Sequence, residues 1–369
     1  MQILQEIAST LGAIIMSFLL FWGSFIRALQ ITAEPPTAPA AIEQAPAASA
    51  TSTAASVPVA TSSQPSKAPA TTTTVPAPAP TPAAPTKSQE QINEETRTAL
   101  VNILCIPQAG INGISGSGVL IDSRGVILTN AHIAQYFLLR DYLTPGNINC
   151  VVRTGSPAEA RYTATLLYVP PAWVAANASQ LKAAQAVGTG EYDFAFLLIT
   201  GRTDAAAVLP SNFPHVAMDR GYVDAGDPML LAAYPAGFLG AETVQKNLYI
   251  SSAVAYVTQL FSFNQSTQVD LFSIGGTVVS QGGSSGGAAV RLRDGTLAGI
   301  IATATAAAST GERDLRAVSL AHIDDALAAA GKGGVTALLT GDLSAKAAAF
   351  NAQVAPAETA ALEAVLNGN

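Results

Sequence analysis

Apolar and polar positions fall into contrasting blocks along this chain. Residues 7–26 form an uncharged, mainly apolar run bracketed by Glu6 and Arg27, with Trp22 near one end. At helical rise such a run spans about 30 Å, the thickness of a bilayer's hydrocarbon core, so it predicts a transmembrane helix. A cleaved signal peptide is the competing reading, but the run is long for one and no Lys or Arg precedes it. Residues 33–86 are Pro, Ala, Thr and Ser, with only Glu34, Glu43 and Lys67 charged. That composition cannot bury a core and predicts a disordered tether of polyproline character, on the order of 40 Å in reach. Such tethers are commonest outside the cytoplasm; Arg27 alone argues the opposite orientation.

The pattern then becomes folded. A polar, helix-like segment covers 87–98. Strand-like runs follow at 99–106, 116–121, 126–129, 150–153 and 161–168. The turn Asp122-Ser123-Arg124-Gly125 joins two of them as a hairpin. A helix starts at Pro171 and is predicted to run to about 186, and 194–199 is a strand apolar on both faces. A second set of strands reads at 229–233, 247–258, 268–273, 288–292 and 297–302, with Arg293-Asp294-Gly295 as a hairpin turn. Alanine-rich helices read at 320–330, 344–353 and 358–366. No βαβ repeat is present, so the folded part is all-β with C-terminal helices. The predicted divisions are 1–32 (anchor or signal), 33–88 (linker), 89–205 and 206–318 (two β domains) and 319–369 (helical segment).

Charge and rare residues narrow the chemistry. A net charge of −7 over 369 residues, without a Lys/Arg cluster, argues against nucleic acid as a partner. Three histidines and two cysteines, none in a CxxC, predict no metal site and no cofactor. Cys105 and Cys150 read either as one disulfide or as two separate buried thiols.

Gly282-Gly283-Ser284-Ser285-Gly286-Gly287 is the most informative stretch. Glycines there permit a tight turn that exposes one serine Oγ and aims two backbone N–H groups at one point, the geometry of a nucleophile and oxyanion hole. His132 ends a buried strand, and Asp193 immediately precedes one, where an unpaired carboxylate is costly. His132, Asp193 and Ser285 stand in that order, 61 and 92 residues apart. In triad chemistry Ser285 attacks a carbonyl, His132 takes its proton, Asp193 fixes the imidazole, and the N–H groups of Gly283 and Ser285 hold the oxyanion. The same stretch fits the G-x-S-x-G elbow of α/β-hydrolases, but that elbow needs a helix after it and a later triad histidine.

These residues carry a resemblance to trypsin-like serine proteases. Gly116-Ser117-Gly118-Val119-Leu120-Ile121 and Thr129-Asn130-Ala131-His132 resemble the first barrel of the bacterial HtrA/Deg type. Asp193-Phe194-Ala195-Phe196-Leu197 resembles the family's D-x-A-x-L segment, Gly283-Ser284-Ser285-Gly286-Gly287 its G-x-S-G-G, and 299–304 its cleft strand. The resemblance covers about 95–330 and implies two six-stranded antiparallel β-barrels with the triad between them. It departs at Ser284, where trypsins carry the aspartate that receives a freed N-terminus. It departs again at Val279, where Arg/Lys-specific trypsins are acidic. Val279 with Ala302, Thr303 and Ala304 implies an uncharged pocket taking small or medium aliphatic residues. The 39 residues after Ala330 read as helices, too few for the PDZ domain usual in HtrA-type enzymes.

The expectation is a serine endopeptidase acting on protein or peptide substrates. It is held at the membrane by its N-terminal helix and faces the extracytoplasmic side, periplasm or cell surface. It would be secreted if the leader is removed. The alternative is a catalytically silent fold of this kind serving as a binding scaffold.

Overall fold

The computed structural model describes residues 87–182, 188–263, 268–304 and 309–368. The transmembrane segment expected at 7–26 and the tether at 33–86 lie outside the described residues. Among the described residues no helix is long and apolar enough to cross a membrane.

Helix α1 (Gln89–Ala99) opens with a capping box: Ser88 Oγ accepts from Gln91 N, and Gln91 Oε1 accepts from Ser88 N. Its apolar stripe, including Ile92 and Ala99, is buried. It runs directly into β1 (Leu100–Pro107), and the chain continues through β2 (Ile114–Asp122), β3 (Val126–Thr129) and α2 (Ala131–Leu138). Then come β4 (Ile148–Thr154), β5 (Glu159–Tyr168), α3 (Pro171–Asn177), a single 3₁₀ stretch (Ala178–Lys182) and β6 (Ala195–Arg202). The helix expected from Pro171 is therefore shorter than its sequence pattern, and 183–187 lie outside the described residues.

These six strands form a closed antiparallel barrel in the order β1-β2-β3-β6-β5-β4. β3 is buried at all four positions and β6 at its first five, which is why neither alternates in sequence. Phe194 and Phe196 are fully buried and meet edge to face at 6.1 Å between centroids. Such a pair adds about 0.5–1.5 kcal/mol beyond the area it buries. Where β1 closes onto β4, Cys105 faces Cys150 and the two form a disulfide, so the alternative of two thiols is not realised.

The second half contains β7 (Pro228–Ala233), α4 (Ala241–Lys246), β8 (Ser251–Tyr256), β9 (Gln259–Phe261), β10 (Leu271–Gly275), β11 (Ala288–Arg291), β12 (Leu297–Ala304) and β13 (Leu315–Ser319). Here the expected second six-stranded barrel is corrected: the strands form one seven-stranded sheet, β8-β7-β11-β12-β13-β10-β9. The cause is a bend at Val257-Thr258. The strand expected at 247–258 is realised as β8 alone, and the short β9 begins beyond it, so that β8 pairs with β7 while β9 pairs with β10 at the other end of the sheet. Met229, Leu231, Phe272, Ile301 and Ala317 form the centre of its core.

Helices α5 (Leu320–Ala329), α6 (Gly334–Leu339), α7 (Leu343–Gln353) and α8 (Ala355–Asn367) follow. They do not trail. α7 lies on β5, where Asn351 Nδ2 donates to Leu166 O at 2.8 Å. Thr359 Oγ1 of α8 donates to Leu138 O at 3.0 Å, and Arg124 donates to Leu339 O at 2.6 Å and Gly341 O at 3.1 Å. The last helices thus cover the first barrel. At the other end α1 reaches the second sheet, where Arg97 donates to Ile250 O at 3.3 Å and Ser252 Oγ at 3.2 Å.

Candidate active site

The end of β3 and the start of α2 set His132. Asn130 occupies the N-cap position of α2, yet its side chain caps nothing; its Nδ2 donates instead to Asp193 O at 2.7 Å. The free helix N–H at His132 is taken by Asp193, whose Oδ1 accepts it at 3.0 Å. Asp193 Oδ2 lies 2.8 Å from His132 Nδ1. One carboxylate therefore caps the helix and grips the imidazole it carries. Because a carboxylate only accepts, Nδ1 holds the proton and Nε2 is left as the basic nitrogen. Asp193 is buried, and these bonds are what make its burial tolerable.

Burial of the His132 ring, the largest single influence, pulls its pKa down, but charge attraction and the hydrogen bond from Asp193 outweigh it. The net result is a pKa above the ordinary value of 6.5. Asp193 itself is aimed by a tight turn in which Gly190 has φ +88° and Tyr192 φ +56°, with Asp193 N donating to Gly190 O at 3.1 Å. A non-glycine residue in that left-handed region stores about 1 kcal/mol and must be held by its surroundings.

In the second half, the serine turn folds on two left-handed glycines, Gly283 (φ +88°) and Gly286 (φ +84°). It separates the two serines. Ser284 is buried with its Oγ unpartnered, whereas Ser285 is half-buried. Ser285 Oγ donates to Ala302 O at 3.4 Å, and among the described residues it makes no hydrogen bond to His132. Gly286 N and Gly287 O are engaged by β12 through Ile301, while the N–H groups of Gly283 and Ser285 have no partner among the described residues. Strand β11 follows the turn, and the only later histidine, His322, is paired with Asp270, so the α/β-hydrolase elbow does not apply.

Ser117 of β2 joins the two halves. Its N–H donates to Ser285 O at 2.7 Å and its Oγ to Gly283 O at 2.8 Å, while the Oγ accepts from Tyr234 N at 2.9 Å. Thr129 Oγ1 in turn donates to Ser117 O at 2.7 Å. A Cβ on Gly286 would stand 2.0 Å from Ser117 O and 2.5 Å from Thr129 Oγ1, so only glycine fits. The serine turn is thereby seated on the strands that lead to His132. Ser117 and Asn130 lie inside sequence motifs that drew attention to their neighbours; nothing local in the sequence marks either as a fastening.

Of the expected pocket residues, Val279 is fully buried in the second core beside Ile274, Leu315 and Ala317, and Ala302 is buried in β12. Thr303 and Ala304 extend β12 opposite Arg316 and Leu315, and their side-chain surroundings lie outside what the structure describes. Among the described residues no three His, Cys, Asp or Glu side chains gather as a metal would require.

Residues 116–300 match the model of the trypsin-like peptidase domain. Among solved structures, the chain is similar to the active form of the Rv3671c protease from M. tuberculosis, with 17% identity over 69% of this chain and 93% of that one, and a TM-score of 0.40. No curated protein matches the chain in sequence.

Proposed function

The chain belongs to the trypsin-like peptidase domain family, and from that premise we propose that it is a serine endopeptidase acting through His132, Asp193 and Ser285. The two-point hold of Asp193 on His132 carries the proposal: 3.0 Å to the backbone N–H and 2.8 Å to Nδ1. That hold leaves Nε2 basic and sets the ring's orientation. In the reaction Ser285 Oγ bonds to the substrate carbonyl carbon as its proton passes to His132 Nε2. The oxyanion is received by the free N–H groups of Gly283 and Ser285. His132 then gives the proton to the leaving amine, the C–N bond breaks, and water repeats the sequence on the acyl-enzyme.

The absence of charge at Ala302, Thr303 and Ala304, and at the core residue Val279, supports cleavage after small or medium aliphatic residues. A peptide-library profile dominated by Arg or Lys would overturn that part. The apolar run at 7–26 and the tether after it support membrane attachment. The Cys105–Cys150 disulfide supports an oxidising, extracytoplasmic location.

One observation favours a silent scaffold instead: Ser285 Oγ is turned to Ala302 O rather than His132. Catalytic hydrogen bonds are often loose before substrate binds, so the geometry does not exclude chemistry. Labelling the full-length protein with a fluorophosphonate, beside Ser285→Ala and Ser284→Ala, separates the two. Label on the wild type and on Ser284→Ala, lost in Ser285→Ala, is the expected result. An unlabelled wild type points to the scaffold.

A further inference from the structure

The second His–Asp pair lies on the far side of the turn that carries Asp193. His322, in the first turn of α5, has Nδ1 3.1 Å from Asp270 Oδ1, and both side chains are buried. Among the described residues its Nε2 has no partner, so Asp270 is the ring's one polar anchor. Asp270 is itself fixed: its Oδ2 accepts from Phe263 N at 2.8 Å and Ser262 Oγ at 3.1 Å. Ser319 N donates to Asp270 O at 2.9 Å, and Ser319 Oγ caps His322 N at 3.0 Å. The Asp270 carboxylate, held by Phe263 N, Ser262 Oγ and His322 Nδ1, makes a rigid support for the ring.

What it supports is Tyr192. The His322 ring meets Phe263 edge-on at 4.9 Å and Tyr192 at 5.9 Å, tilted by 46°. Tyr192 is the residue held in the left-handed region, and Asp193 is next in the chain. Gly190, at the start of the same turn, lies against Leu271 and Val318 of the second sheet. Asp193 is thus gripped from the first barrel by Asn130 and His132, and its turn is backed by α5 through Tyr192 and by β10 through Gly190.

We propose that His322, held by Asp270 and acting through the Tyr192 ring, is a positioning residue that keeps the Asp193 carboxylate in register with His132. This rests on the triad reading for its consequence in turnover, but not for its test. In the full-length protein, the His132 ring is followed by NMR through its titration and its downfield Nδ1–H resonance. His322→Ala and Tyr192→Ala should each weaken that resonance and bring the titration midpoint down toward 6.5, because Asp193 is what raises it. Tyr192→Phe, which keeps the ring, should titrate as wild type. With active enzyme, kcat should fall about tenfold in both alanine variants while KM changes by less than about twofold. A purely structural role would lower melting temperature and leave the His132 titration unchanged, and that result overturns the proposal. If His322→Ala does not fold, the Tyr192 pair decides alone. An inactive wild type would sink the protease reading yet leave the NMR comparison intact.

Discussion

Ser117 Oγ donates to the carbonyl of Gly283 at 2.8 Å across the join between barrel and sheet. The same oxygen accepts Tyr234 N, and the Ser117 N–H holds Ser285 O. The turn presenting Ser285 is therefore fastened to β2 on both sides of Ser284.

Ser117→Ala removes the hydroxyl and leaves the Tyr234 N–H and Gly283 carbonyl short of partners. Stability should fall by about 1–3 kcal/mol, the penalty for an unmet buried group. Labelling of Ser285 should slow by on the order of tenfold, because the N–H pair loses its fixed orientation. Thermal melts beside fluorophosphonate kinetics would check both.

The pH dependence follows from His132. Its raised pKa places the rise of labelling rate with pH above 6.5. In Asp193→Ala the lowering effect of burial is unopposed, so the midpoint should drop below 6.5, with rates reduced on the order of 10⁴-fold. The linkage has the same sign. The charged pair stabilises the fold fully below pH 6.5, and that contribution is lost as pH climbs through the higher folded value. A rate profile flat from pH 5 to 9 would remove His132 as the base.

Glu358 in α8 is buried, with neither carboxyl oxygen partnered among the described residues, and burial pushes its pKa from 4.5 to about 7. The protonated side chain is tolerated; the carboxylate is not. Stability is therefore intact below pH 4.5 and is lost as pH rises through about 7, a penalty on the order of 3 kcal/mol above it. Glu358→Gln should melt well above wild type at pH 8 and close to it at pH 5. A gap independent of pH would count against the buried carboxylate.

The Cys105–Cys150 bridge closes 45 residues of chain. Constraint of a loop that size on the unfolded chain is worth about 4 kcal/mol in the chain-entropy picture. The Cys105→Ala/Cys150→Ala double variant should lose a large part of that, read as a lower denaturant midpoint with little change in slope.

The sequence exposed the chemistry more readily than the assembly. His132 and Asp193 stand beside buried stretches of β3 and β6 and Ser285 inside a glycine turn, and local pattern finds such places. The polar segment at 87–98 marks the helix at 89–99, whereas its Ser88–Gln91 capping box is seen only in the structure. By contrast, the five residues of β13 and the three of β9 are too few to show a period. Ser117's bonds to Gly283 and the His322–Asp270 pair join positions 166 and 52 residues apart, which no local periodicity encodes. The docking of α7 and α8 depends on contacts from Asn351 to Leu166 and from Thr359 to Leu138, equally remote in the chain.

The two ends of the folded chain cross over. α1 reaches the second sheet although it feeds β1, and α7 and α8 return to cover the first barrel although they leave from β13. Neither half owns all of its covering. A cut in the exposed connection between β6 and β7 would therefore not free two independent lobes. Each piece made alone would show a bare apolar face: around Tyr168 where Phe350 should sit, or at Gly295 where Ile92 should sit. Made together, the pieces should reassemble as an interlocked pair, so proteolytic nicking of this molecule would pass unnoticed until it was denatured.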